Sequence, residues 1–251
     1  MINKIEHGAV RELRLDRPPV NAISPELILA LRKAIQAGPG EGARALILSG
    51  SPGRFSGGLD IPVLLGLDRS AMATVWREFY TLLGALAGSA VPIVAAITGH
   101  APAGGTVLSM FCDWRVMADG DYKVGLSEVQ VGIPLPPVIL HGLQRLVGFR
   151  QAERLAVRGE LLSPQDAVRL GLVDELVSPE KVVDRALEWC EGLLALPPDA
   201  MARTRHAARK DLTAIFEDVE SELQQVTEGW WSPETQQILH AVAERLRKKV
   251  G

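Results

Sequence analysis

A chain of 251 residues with 47% apolar side chains can bury the core of one large domain, with or without an appendage. A net charge of −3, with no basic block before Arg247-Lys-Lys249, argues against a nucleic-acid partner. Those last cations suit a helix C-terminus, where they offset the dipole.

Met1 to Val10 carries Asn3, Lys4, Glu6 and His7, which does not read as a targeting segment. The apolar run Val91 to Thr98 is far short of the ~20 residues of a membrane helix. The two cysteines, Cys112 and Cys190, sit in apolar helical stretches without metal-ligand spacing and read as buried small hydrophobes. The expectation is a soluble intracellular protein with no membrane partner. It would be cytoplasmic, or in the mitochondrial matrix if a transit peptide has been removed.

Val10 to Leu15 predicts a strand, ended by Arg17-Pro-Pro19. Ser24-Pro25 opens a helix whose apolar stripe is Leu27, Leu31 and Ile35. Ala45 to Ser49 is a short buried strand, and Gly50-Ser-Pro-Gly53 a turn. Ser70 starts a longer helix with Val75, Phe79, Leu82, Leu83 and Leu86 inward. Val91 to Thr98 is apolar on both faces, as an interior parallel strand requires. It runs through a tight glycine turn into a helix opening near Gly104. Strands follow at Arg115–Ala118 and Tyr122–Gly125. This alternation predicts an α/β chain with mostly parallel pairing. After Gly132 the pattern turns helical: Ser163-Pro164 caps one helix, which Gly171 stops, and Ser178-Pro179 opens another after the short strand Leu172–Val177. The stretch from Asp199 reads as two or three helices, the last from Ser232-Pro233. Their apolar faces need cover from the core or from another subunit.

Two glycine segments carry chemical interest. A helix opening at Gly104 presents unpaired N–H groups and partial positive charge, able to hold a negative oxygen. In Phe55-Ser-Gly-Gly-Leu-Asp60, the N–H of Leu59 could reach the same space, and two converging donors would make an oxyanion hole. Either segment also suits a plain packing turn, and neither matches a Walker or dinucleotide fingerprint. Glu128, before the apolar Val129 and Val131, would be a general base if buried, because burial lifts a carboxylate toward neutrality; on a strand edge it would simply face water. His100 reads as a solvated turn histidine, Asp113 and Asp119 as turn and cap residues, and His141 shows no partner. Ser56 and Ser127 lack a histidine base that would make either a nucleophile.

Four segments taken together resemble the crotonase (enoyl-CoA hydratase/isomerase) superfamily over nearly the whole chain. They are Arg17-Pro-Pro-Val-Asn21, Phe55-Ser-Gly-Gly-Leu-Asp60, Ala95-Ala-Ile-Thr-Gly-His-Ala-Pro-Ala-Gly-Gly105 and Ala167-Val-Arg-Leu-Gly-Leu-Val-Asp-Glu175. The resemblance implies a crotonase-like α/β spiral of ββα units over residues 1–195. It implies a C-terminal helical region, residues 196–251, that assembles trimers or dimers of trimers. It also implies acyl-CoA substrates whose thioester oxygen sits between the N–H groups of Leu59 and Gly104. Ser56, Gly57, Gly58, Leu59, Asp60, Gly104 and Ser127 would line the substrate path.

Fold alone does not set the reaction in this superfamily. Similar hydratases carry two glutamates; here the first of those positions is Val107 and the second is Glu128. The segments around Pro102, Cys112 and Gly125 to Ile133 look most like mitochondrial-type Δ3,Δ2-enoyl-CoA isomerases. That resemblance implies a one-carboxylate isomerase of fatty-acid β-oxidation, with Glu128 catalytic and no metal or redox cofactor. Gly57 departs from the usual alanine, and Ile133-Pro-Leu-Pro-Pro137 from the usual loop near the acyl tail. Alternatives are hydration or another crotonase-type reaction through the same hole, and a non-catalytic acyl-CoA-binding subunit.

Overall fold

The structure, a computed structural model, describes residues 1–250, with side chains as far as Leu246. The chain opens with a hairpin: β1 (Ile2–His7) lies antiparallel to β2 (Val10–Leu15) across Gly8. Helix α1 (Pro25–Ala37) follows, its Leu27 N–H donating to the Ser24 hydroxyl and its Leu27, Leu31 and Ile35 buried.

One pattern then repeats: a long strand, a short strand, and a helix or helical turn. The first repeat is β3 (Ala45–Ser49), β4 (Gly53–Arg54) and α2 (Ile61–Leu64), with α3 (Arg69–Ala87) appended. The second is β5 (Ile93–Ile97), β6 (Gly99–Pro102) and α4 (Gly104–Met110). The third is β7 (Trp114–Ala118), β8 (Val124–Gly125) and a 3-10 turn, Glu128–Val131. Together with β9 (Glu175–Val177), the long strands form a six-stranded sheet in the order β1-β2-β3-β5-β7-β9, parallel beyond β2. The short strands form a second parallel sheet, β4-β6-β8. The chain thus winds as a spiral of ββα units.

The long strands read as unbroken apolar runs because both faces are covered. Leu46, Leu48, Ile93, Ala95 and Ile97 face the main core with α1 and α3. Ala45, Ile47, Val94 and Ala96 face Val182, Ala186 and Cys190 on the opposite side.

After α5 (Pro137–Val147), α6 (Phe149–Arg158) and α7 (Pro164–Leu170), α8 (Val182–Leu194) supplies that second layer. Four more helices follow: α9 (Pro198–Ala208), α10 (Lys210–Ala214), α11 (Glu220–Trp230) and α12 (Pro233–Val250). They fold back on the chain's own core, where Leu212, Leu223, Trp230 and Leu239 are buried. Arg209 donates to the carbonyls of Ala87, Phe111 and Cys112, and Arg205 grips Asp113 at 2.7 and 2.9 Å. These bonds cap the C-terminal ends of α3 and α4 and fix α9 and the start of α10 to the spiral. Arg247, Lys248 and Lys249 fall in the last turn of α12; their side chains lie outside the described residues.

The structure departs from the sequence expectation in several places. β5 does not run through a turn into α4: Gly99–Pro102 is itself a strand, paired with β4 and β8. Short strands with two-residue pairings have no alternation to read. The strand β1 was likewise not expected from Met1 to Val10. Asp68, not Ser70, caps α3, and Ser178-Pro179 leads through a 3-10 turn before α8 begins. His141 has a neighbour after all, Asp211 at 3.7 Å.

Candidate active site

Each repeat delivers one element of the site just after its short strand: Leu59 after β4, Gly104 after β6 and Glu128 after β8. Leu59 forms a parallel bridge with Ile23. The Ile23 N–H donates to the Gly58 carbonyl at 2.8 Å, and the Asp60 N–H to the Ile23 carbonyl at 3.0 Å. That pairing turns the Leu59 N–H to the opposite side, where it has no acceptor among the described residues. Gly104 is the first residue of α4, so its N–H is also left without an intrahelical acceptor. Ala103, with φ 51° and ψ −121°, makes the bend that starts this helix. Such backbone costs an alanine on the order of 1–3 kcal/mol, strain that concentrates at functional turns.

The two amides lie side by side. A Cβ on Gly58, which has φ +86°, would stand 3.3 Å from the Gly104 nitrogen. One on Gly104 would stand 3.4 Å from the Leu59 nitrogen and 2.9 Å from Ile23 Cδ1. Gly58, at positive φ, suits this turn in a way other residues rarely do, and a side chain at either glycine would crowd the amides.

Glu128 opens the 3-10 turn beyond β8. Its Oε2 is buried without a hydrogen-bond partner among the described residues. Burial pushes its pKa up to about 7, against a smaller opposite pull from the backbone N–H groups of Glu128 and Ser127. A carboxyl near neutrality can both take and return a proton at physiological pH.

Leu59, Gly104 and Glu128 line one cavity of about 230 Å3. Its other walls are mostly apolar: Trp76, Phe79, Val107, Ile139 and Val242 among them. Val107 is 1% exposed and faces the same space as Glu128, so a single carboxylate serves this cavity. Amide donors at low dielectric can stabilise a developing oxyanion, while the carboxylate moves protons beside it.

Of the remaining expected residues, Gly57 and Ser127 are on the cavity wall. Gly58 lies behind it, against Ala103 and Gly104. Ser56 is fully buried and not on the cavity wall; its hydroxyl donates to the Asn21 carbonyl at 2.8 Å and accepts the Gly58 N–H at 3.2 Å, so it holds the turn. Asp60 accepts the Val63 N–H at the start of α2 and pairs with Arg17 at 2.6 Å. His100 is exposed and accepts the Lys123 N–H at 3.1 Å.

Sequence reasoning missed Thr106. Its buried hydroxyl donates to the Ala101 carbonyl at 2.5 Å and accepts the Gly125 N–H at 2.7 Å, while the Ala103 N–H donates to the Gly125 carbonyl at 2.8 Å. These bonds tie the Gly104 turn to the segment that carries Glu128. A threonine in the first turn of a short helix was the only available signal.

Solved structures share this architecture over most or all of the chain. The crystal structure of human mitochondrial delta3-delta2-enoyl-CoA isomerase superposes with a TM-score of 0.94 at 30% identity, covering 100% of this chain and 99% of that one. The fold is the crotonase fold. The family model described as enoyl-CoA hydratase/isomerase matches residues 6–248, and the chain belongs to that family. Among its relatives, the mitochondrial enoyl-CoA delta isomerase 1 of Mus musculus is 32% identical over 248 residues, 97% of this chain and 86% of that protein. The "Probable enoyl-CoA hydratase" of Mycobacterium avium is 34% identical over 206 residues, 82% of this chain and 78% of that protein. The chain is therefore an enzyme of the enoyl-CoA hydratase/isomerase family.

Proposed function

We propose that the protein is a Δ3,Δ2-enoyl-CoA isomerase. The observation that carries this reading is the lone carboxylate: among the described residues, Glu128 shares its cavity with two unpartnered amides and no second acid, and Val107 occupies the first turn of α4. The thioester oxygen of a 3-enoyl-CoA accepts the Leu59 and Gly104 N–H groups. Glu128, as carboxylate, takes a proton from C2. The electron pair delocalises into a dienolate whose oxygen those amides stabilise. Glu128, now protonated, gives its proton to C4, the double bond moves to C2–C3, and the carboxylate is regenerated. The atoms balance without water, a metal or a redox group. The mouse and human proteins above, both named as isomerases, support the assignment. We place the reaction in fatty-acid β-oxidation, in a cytoplasm or a mitochondrial matrix, with the enzyme as a trimer or a dimer of trimers.

A second reading, hydration of 2-enoyl-CoA, has the mycobacterial relative in its favour. Water addition calls for a second acid–base group, and Val107 cannot supply one. The two readings separate in one assay. Purified protein is given cis- and trans-3-enoyl-CoA, then 2-enoyl-CoA. Conversion of 3-enoyl to 2-enoyl-CoA with little 3-hydroxyacyl-CoA supports isomerisation; efficient water addition, or no turnover of any 3-enoyl-CoA, rejects it.

A further inference from the structure

Trp76 stands between two cavities. One is the cavity of the candidate site. The other, of about 210 Å3, lies behind it against Val226, Gly229 and Trp230; Trp76, Ile133 and Pro136 line both. The Trp76 indole is 3% exposed. It packs edge-on against Phe79, in the wall of the first cavity, with centroids 6.5 Å apart. Against Trp230, in the wall of the second, the centroid distance is 6.1 Å. Its ring N–H is buried without an acceptor among the described residues. A stranded buried donor is costly, and a purely apolar side chain would avoid it. What the indole adds is breadth across the gap between Phe79 and Trp230.

We propose that Trp76 is the residue that sets acyl length, by closing off a second chamber that would otherwise extend the acyl pocket. The proposal rests on the reading that the first cavity holds the acyl tail. In the wild-type protein the tail ends at the indole. With the indole cut back, the two cavities join, and a longer tail runs on beneath α11 toward the exposed Gln225. Each further methylene buried there contributes about fourfold in affinity.

The test compares wild type with Trp76→Leu on short-, medium- and long-chain substrates in two readouts. One is kcat/KM for 3-enoyl-CoA. The other is calorimetric binding of saturated acyl-CoA of the same lengths, which cannot isomerise. The long-to-short ratio should rise at least ~10-fold in both. Gly229 provides the control: a Cβ there meets nothing nearer than 3.9 Å, so Gly229→Met fills the second chamber. It should leave the wild-type ratio unchanged and cancel the gain in the Trp76→Leu background. Should Trp76→Leu fail to fold, Ile133→Ala opens the partition from its other side and should give the same shift. An unchanged ratio in a folded variant, or a gain that survives Gly229→Met, overturns the proposal. A shift in binding without isomerisation at any length supports the partition while removing the isomerase reading.

Discussion

The Gly125 amide donates to the Thr106 hydroxyl at 2.7 Å, and this bond joins the two halves of the site. On one side stands α4 with the Gly104 N–H; on the other, three residues past Gly125, Glu128 opens the 3-10 turn. Thr106→Val keeps the volume and leaves the Gly125 N–H buried without a partner. Stability should fall by about 1–3 kcal/mol. The kcat should fall on the order of 10-fold with KM within a few-fold, because the base is displaced relative to the hole more than the binding surface is altered. Thr106→Ser should recover most of both. Denaturant titration and steady-state kinetics measure the two effects.

Glu128 makes the pH dependence specific. Its carboxylate is the reactive form, so kcat/KM for 3-enoyl-CoA should climb tenfold per unit below pH 7 and level off above it, reporting a pKa of about 7. Stability runs the other way. A folded pKa raised above the model value of 4.5 means the native state favours the protonated acid. Stability from this group is complete below about pH 4.5 and is lost as pH rises through about 7. Glu128→Gln should therefore be more stable than wild type at pH 8, by about 3 kcal/mol, and equal to it at pH 4. Melts of both proteins across that range check the divergence.

Gly58 tests the amide pair. At φ +86°, with a Cβ placed 3.3 Å from the Gly104 nitrogen, Gly58→Ala strains its own turn and crowds the hole. We expect kcat lower on the order of 10²-fold, the scale of losing one oxyanion donor, with acyl-CoA affinity changed only a few-fold.

Much of this was legible in the sequence, and the illegible part has a physical cause. Leu27, Leu31 and Ile35 gave α1, and the apolar stretch around Ile93–Ile97 gave a doubly covered strand, because period and burial are written locally. The glycine pairs and Glu128 marked the candidate residues but not their meeting. That meeting depends on the small sheet β4-β6-β8, whose strands are two to four residues long and carry no periodic signal. Ser56 shows the limit from the other side: it lies in the expected motif, yet its hydroxyl is spent on Asn21 and Gly58. Trp76 reads as an ordinary core residue of α3, and only the cavity on each side of it distinguishes it.

Val107 accounts for the choice between reactions. Val107→Glu adds a second carboxyl to the first turn of α4, in the wall that Glu128 shares. Hydration of 2-enoyl-CoA should rise on the order of 10²-fold over wild type, the usual scale of one added acid–base group. The variant should also melt at lower temperature, since the position is 1% exposed. Chromatographic detection of 3-hydroxyacyl-CoA measures the gain.

The most direct test of the single-carboxylate account is Glu128→Gln assayed on 3-enoyl-CoA alongside calorimetric binding of an acyl-CoA. The amide keeps the shape of the side chain and cannot accept the C2 proton. Isomerisation should drop by at least ~10³-fold while Kd stays within about threefold. Turnover within tenfold of wild type would contradict the account.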